Sequence, residues 1–182
     1  MMSIMPWPRN HKAETRERIV RAAADAFRER GIDGVGVADI MKRAGLTHGG
    51  FYAHFKSKDD LVKAAFEQMS REIADTVGAA DYLAELHMQH PERCCPLPTV
   101  ATELVRSGAR MRRSVAGEIR ARLARIAERL GGRRDTDADA AGALACMVGG
   151  MVIARALPEN EGSAFLERCR VFLRGAVGEK IL

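Results

Sequence analysis

The sequence predicts an all-α protein, and two observations carry that prediction. The 182 residues are 47% hydrophobic but only 5% aromatic, and the abundant alanine, leucine and arginine lose little on becoming helical. Apolar residues recur three and four apart along most of the chain, and no stretch alternates as a half-buried strand would. At 19.9 kDa the chain has room for one compact domain, or for a small one joined to a larger one.

Residues 1–10, with two prolines, read as a loose arm. Helical spacing begins near Thr15, where Ile19, Ala23, Ala26 and Phe27 share one face with Arg and Glu opposite. Gly31 ends this helix as a left-handed cap, and Ile32 folds back on the last turn. A shorter helix follows over 37–44, with Gly36 as N-cap, Asp39 at the positive end of its dipole, and Ile40 and Met41 facing inward. Gly45 closes it. Thr47 caps the next short helix, 48–55, whose Phe51 and Phe55 lie one turn apart. Ser57 caps a fourth helix from Lys58, with Asp59 and Asp60 in its first turn and an apolar face from Leu61 to Met69. Further on, short helices are predicted over 82–88 and 96–107, separated by a CCPLP hinge. A long amphipathic helix then carries Met111, Val115, Ile119, Leu123, Ile126 and Leu130, and Gly131 and Gly132 end it. A helix over 137–157 rich in small residues, stopped by Pro158, and a last one over 163–177 anchored by Leu166, Val171 and Leu173 complete the chain.

Two short helices joined by a glycine turn and flanked by longer ones form a helix-turn-helix signature, hence an N-terminal three-helix DNA-binding domain. The second short helix starts badly: Gly49 and Gly50 each cost about 1 kcal/mol relative to alanine. The same glycines would let the backbone come close to DNA and offer N–H groups to phosphate. Thr47 and His48 stand at the leading end, where donors reach phosphates or base edges. Tyr52 is expected to pack its ring inward and extend its hydroxyl to a phosphate, and Lys58 to clamp the DNA backbone. The predicted DNA-binding residues are therefore Thr47, His48, Gly49, Gly50, Tyr52 and Lys58. Charge agrees: residues 1–63 hold 12 Lys/Arg against 8 Asp/Glu, whereas the remainder holds 17 against 16. A helical hairpin whose glycines merely ease helix contact is the competing reading.

Residues 13–66, AETRERIVRAAADAFRERGIDGVGVADIMKRAGLTHGGFYAHFKSKDDLVKAAF, resemble the N-terminal domain of TetR-family transcriptional regulators along their whole length. The G-I-D-G turn, A-D-I-M-K-R-A-G-L, T-H-G-G-F-Y-A-H-F and K-S-K-D-D-L stand in family order and spacing. The resemblance implies a repressor that binds palindromic double-stranded DNA as a homodimer, with paired recognition helices in successive major grooves. It also implies a C-terminal helical domain that dimerises and binds a small-molecule effector of unidentified chemistry. Domains are expected at 1–57, the arm and helix-turn-helix, and at 58–182, the regulatory and dimerisation part. Two departures stand out, since the family usually has Thr or Ser at the position of Gly36 and often Ala, Ser or Thr at that of Gly50. YLAELHMQHPERCCPLPTVATEL, residues 82–104, resembles a subgroup with a Cys-Pro-Leu segment opening the sixth helix. The residues between Phe66 and Tyr82 are too few for the usual long fourth helix plus a full fifth. A reduced ligand pocket is predicted, and no pocket residue is assigned.

Gly142, Gly149, Gly150 and Ala154 allow close backbone approach, which suits a dimeric four-helix interface made with the last helix; a monomer's core helix is the alternative. Arg110, Arg112, Arg113, Arg120, Arg122, Arg125 and Arg129 are expected to form a solvated face. Cys94 and Cys95 are candidate thiol sensors, because Arg93 and a helix beginning at Pro96 would both lower a thiol pKa. Electrophile or oxidant sensing is thus an alternative to a bound effector, a regulator without ligand is another, and simple packing under the hinge is the plainest reading of the two thiols. No metal is expected, because C-x-x-C is missing and His48 and His54 are six apart rather than four. No cofactor and no enzyme activity are expected either: Cys95 with His87 or His90 lacks a glycine-rich oxyanion motif. The start has no signal-peptide core, and the apolar run 140–154 falls short of the roughly twenty residues a membrane span needs. Four cysteines without secretory context read as reduced thiols, so a cytoplasmic protein is predicted.

Overall fold

The computed structural model describes residues 9–74, 82–131 and 135–178; residues 1–8 of the predicted arm and Gly132 lie outside them, and residues 9–10 of that arm are helical. Helix α1 spans Arg9–Arg30, α2 Val37–Arg43, a 3-10 helix His48–Ala53, and α3 Lys58–Ala74. Then follow α4 (Glu85–Gln89), a 3-10 turn (Pro91–Arg93), α5 (Leu97–Arg106), α6 (Ala109–Leu130), α7 (Thr136–Ala156) and α8 (Glu159–Val177). Among the described residues there is no strand, and the fold is all-α with an N-terminal helix-turn-helix domain.

Local chemistry sets most boundaries where the sequence placed them. Gly31 and Gly45 take φ of 74° and 68°, left-handed values that end α1 and α2. Gly36 donates its N–H to the Asp39 carboxylate at 3.3 Å, closing the start of α2. Ser57 Oγ accepts the Asp60 N–H at 3.2 Å at the start of α3, and Asp135 accepts that of Ala138 at the start of α7, also at 3.2 Å. Helix α1 begins well before Thr15, because His11–Glu14 are exposed and leave no apolar period to read. Residues 82–84 stay outside α4, since Ala84 is extended at φ −74°, ψ 152°. Tyr82 and Leu83 are buried there.

The N-terminal core gathers Ile19 and Phe27 of α1, Ile40 and Met41 of α2, Phe51 of the 3-10 helix and Leu61 of α3, all essentially inaccessible to solvent. Burial of each such side chain contributes roughly 1.5–3 kcal/mol. That tertiary packing is what holds a 7-residue α2 and a 6-residue 3-10 helix, since neither length is stable alone. Helix α3 packs on α1 and also on α6, so it is shared between the two parts. In the C-terminal part α7 packs on both α8 and α6. Gly162 permits the close crossing: a Cβ there would sit 2.5 Å from the Ala154 carbonyl oxygen and 2.9 Å from Met88 Sδ.

Two expectations about the last helices need correction. Val171 is 57% exposed and does not anchor α8, whose inward side is Leu166, Leu173 and Val177. Five residues from Leu166 places it about 140° round the helix. Helix α7 extends beyond the predicted apolar run and is, by length and composition, long and apolar enough to cross a membrane. Its Ala143, Met147, Met151 and Ala154, however, are buried in the core.

Candidate nucleic-acid interface

An α-helix over 48–55 was expected, and a 3-10 helix over His48–Ala53 is found. Its i to i+3 hydrogen bonds include Gly50 N–H to Thr47 O at 3.1 Å and His54 N–H to Phe51 O at 2.9 Å. Two adjacent glycines at the start of so short an element leave little propensity for full α winding, and the tighter helix is the usual form of short pieces. Thr47 is extended, as an N-cap is, but its hydroxyl makes no capping bond. Arg18 braces the turn from α1, donating to the Ala44 carbonyl at 2.7 Å.

The element is fixed from below by its rings. Phe51 and Phe55 stack with centroids 5.7 Å apart, and the Arg16 guanidinium lies 4.8 Å over the Phe55 ring. With that space filled, Tyr52 cannot pack inward as predicted. Its side chain is 69% exposed, edge-on to Phe51 at 5.3 Å and to His48 at 6.5 Å. Thr47, His48 and Gly49 are exposed with it and form one outward polar edge. The glycines differ: a Cβ on Gly49 would meet nothing within 4 Å, whereas one on Gly50 would touch Met41 Cε at 3.6 Å and Thr47 Oγ1 at 3.8 Å. Among the described residues nothing requires a glycine at 49.

Lys58 sits at the start of α3 as predicted, but its ammonium donates to the Ile32 carbonyl at 2.6 Å. An ammonium has three donors, so this bond occupies one of them. Burial holds His54 below the usual histidine range, with the positive charges of Lys12, Arg16 and His11 adding to the effect. A bidentate pair, Arg43 to Glu29 with both bonds at 2.8 Å, fastens α2 to α1. Sequence spacing did not reveal that pair or the Arg18 brace, because their partners lie 14 and 26 residues away.

The two candidate thiols are both buried. Cys94 donates to the carbonyls of His87 and His90 at 2.9 and 3.1 Å, and burial pushes its pKa up to about 11. The predicted lowering fails for this thiol, because Arg93 points to solvent, 76% exposed. Cys95 has a different neighbour: Arg122 of α6 donates a short hydrogen bond to its sulfur, with the guanidinium 5.9 Å from the Tyr82 ring. Arg122 therefore leaves the solvated arginine face assigned to it. Around Cys95 lies a cavity of about 10 Å³, lined by Phe66, Ser70, Leu97, Ile119 and Arg122 among others, which is room for about one water. Among the described residues no cluster of three metal-ligating side chains occurs.

The fold thus joins a helix-turn-helix with an outward polar edge, through the shared helix α3, to a larger helical part. Residues 19–65 match the family model described as bacterial regulatory proteins, tetR family. The chain is 43% identical to the HTH-type transcriptional regulator TtgR of Pseudomonas putida over 56 residues, 31% of this chain and 27% of that one. It is 34% identical to the HTH-type transcriptional repressor BepR of Brucella suis over 96 residues, 50% of this chain and 45% of that one. Such matches span less than half the length of the curated relatives. A TetR transcriptional regulator of Chloroflexus aurantiacus superimposes with a TM-score of 0.72 at 27% identity, over 91% of this chain and 95% of that one. The N-terminal domain is thus a TetR-family helix-turn-helix domain, and the chain as a whole has the TetR-like all-α fold.

Proposed function

We propose that the chain is a ligand-responsive transcriptional repressor, which binds a palindromic operator as a homodimer and is released by a small molecule. The observation that carries this is the outward edge of Thr47, His48, Gly49 and Tyr52, held on a buried Phe51–Phe55 base, with Gly49 open where the fold needs no glycine. His48 and Tyr52 would reach base edges or phosphates, Gly49 and Gly50 would give close approach, and Lys58 would hold the backbone with its remaining donors. Residues 1–57 form the reader and 58–182 the regulatory part, in which Cys95-Pro96-Leu97 marks the subgroup. The dimer would form through α7 and α8, whose Val152, Ile153, Val171 and Phe172 are 44–63% exposed, an apolar surface of the kind partners cover. A cytoplasmic setting suits a DNA reader with reduced thiols. The function is binding rather than catalysis: Arg122, beside Cys95, cannot accept a proton as a general base would.

Selection of bound sequences from a random DNA pool tests this reading. A two-fold symmetric site with half-sites one helical turn apart is expected, and recovery of no preferred sequence refutes it. A thermal-shift screen of small molecules against the operator complex then addresses release.

One observation favours a second switch in place of a bound effector. Cys95 lies against a guanidinium beside the small cavity, so a thiol-reactive electrophile could act there and displace α6 from α5. Electrophile-driven release from the operator that persists undiminished in Cys95→Ser excludes it. A regulator with no ligand predicts that neither treatment releases DNA.

A further inference from the structure

We infer that Glu103 is a positioning residue for DNA reading: its carboxylate, carried on α5, clamps the α1–α2 turn and sets how the helix-turn-helix stands on the rest of the protomer. The inference rests on the dimeric reading above and names the residue that transmits it.

Glu103 Oε2 accepts the Ile32 N–H at 2.6 Å, and Oε1 accepts that of Asp33 at 3.4 Å. Both amides follow Gly31, whose φ of 74° turns the chain so that successive N–H groups converge on one anion. Glycine is needed there twice over: for the left-handed backbone, and because a Cβ would lie 2.4 Å from Glu103 Oε1. The same peptide is held from its other side, with Lys58 of α3 donating to the Ile32 carbonyl at 2.6 Å. One turn earlier Arg28, 4% exposed, donates to the Cys94 carbonyl at 3.0 Å and pairs with Glu72 of α3 at 2.6 Å. A carboxylate from α5 and a guanidinium from α1 thus cross the junction in opposite directions, and charge-assisted bonds of this kind are the strong ones.

The clamp bears on the reading edge through rigid connections. Helix α2 starts at Val37, four residues beyond Asp33, and the 3-10 helix packs on α2. Any tilt of the turn is therefore carried to His48 and Tyr52. At its other end α5 begins with Leu97, which lines the cavity beside Cys95 and Arg122. Leu97 and Glu103 are about 9 Å apart along the helix. One short rod thus has a cavity wall at one end and the clamp at the other. In a two-fold dimer each reader's angle fixes the distance between recognition elements, which must match about 34–36 Å of DNA.

The test is spacing selectivity in the full-length protein, using the operator selected from the random pool and versions with half-sites moved apart or together by one base pair. Wild type should prefer the selected spacing. Glu103→Ala should keep the same half-site base preference yet lose roughly tenfold or more of the spacing preference, the scale of a lost charged hydrogen bond. Glu103→Gln, which keeps one acceptor oxygen, should fall between them. A merely structural role would lower stability and all affinities together, leaving the spacing preference intact, and that result overturns the inference. So does a Glu103→Ala protein whose base preference changes. Wild-type protein that selects no two-fold site overturns the dimeric reader itself, and the clamp with it.

Discussion

Replacing Gly49 by alanine should move stability and DNA affinity in opposite directions. A Cβ at this position meets nothing within 4 Å, and Gly49 is not among the glycines with positive φ. The free protein therefore gains: a glycine replaced where alanine fits without strain stabilises by about 0.4–1 kcal/mol through the unfolded chain. For a chain of this size that is a rise of about 1–4 °C in Tm. In the proposed complex the new methyl would stand on the edge assigned to DNA. If Gly49 provides close approach, binding should weaken by on the order of 1–3 kcal/mol, the usual cost of disrupting one base-pair contact, or roughly 5- to 150-fold in Kd. Gly50→Ala is the comparison. Its methyl would turn toward Met41 in ordinary contact at 3.6 Å, so Tm should rise similarly while binding weakens less than in Gly49→Ala. Scanning calorimetry and fluorescence polarisation on the selected operator give the two numbers. A Gly49→Ala protein that binds operator as tightly as wild type would refute the clearance role, whatever its Tm.

Three further outcomes follow from the geometry. Arg28→Met removes the partner of the Cys94 carbonyl and of half-exposed Glu72 and should cost about 2–3 kcal/mol, lowering Tm by about 4–12 °C; an unchanged Tm would show that water replaces the guanidinium. Phe172→Asp, at a 63% exposed position on α8, should yield monomers by light scattering at micromolar concentration, and a dimer that persists moves the interface elsewhere. His54 is held below the ordinary histidine value of 6.5 by burial, so the unfolded chain binds the extra proton first. Its contribution is complete above about pH 6.5 and is lost as pH falls through the depressed folded value. His54→Gln should flatten that acid slope in thermal unfolding as pH falls below the ordinary value of 6.5, and an unaltered slope assigns the titration elsewhere.

What the sequence made legible is what neighbours along the chain decide. Gly31 and Gly45 could be placed as left-handed helix ends, and Gly36 with Asp39 and Ser57 with Asp60 as caps, because each involves residues at most three positions apart. The Thr47–Tyr52 edge could be found for the same reason. Its winding could not, since the balance between α and 3-10 in so short an element rests on packing against α2 and on the Phe51–Phe55 stack. Tyr52 was turned the wrong way because Phe55 and Arg16 already fill the inward side. Val171 was misplaced by grouping it with Leu166 and Leu173, although periodicity puts it nearly opposite Leu166. Arg122 on Cys95 and Glu103 on Ile32 leave no local pattern, with partners 27 and 71 residues distant.

The arginine struts alter how the protein's charge should be counted. Residues 1–63 contain 12 Lys/Arg, yet Arg18 is tied to the Ala44 carbonyl, Arg28 to Cys94 and Glu72, and Arg43 to Glu29. Arg28 is buried and Arg43 is already paired with Glu29, so neither is placed to neutralise a phosphate and shed a counterion. Affinity falls with salt as about −0.9 per phosphate neutralised, so the double-logarithmic slope should lie well below the figure that 12 cations suggest. A correspondingly larger share of binding then comes from hydrogen bonds and close fit at the groove. Those persist at ionic strengths where a purely electrostatic binder would have let go.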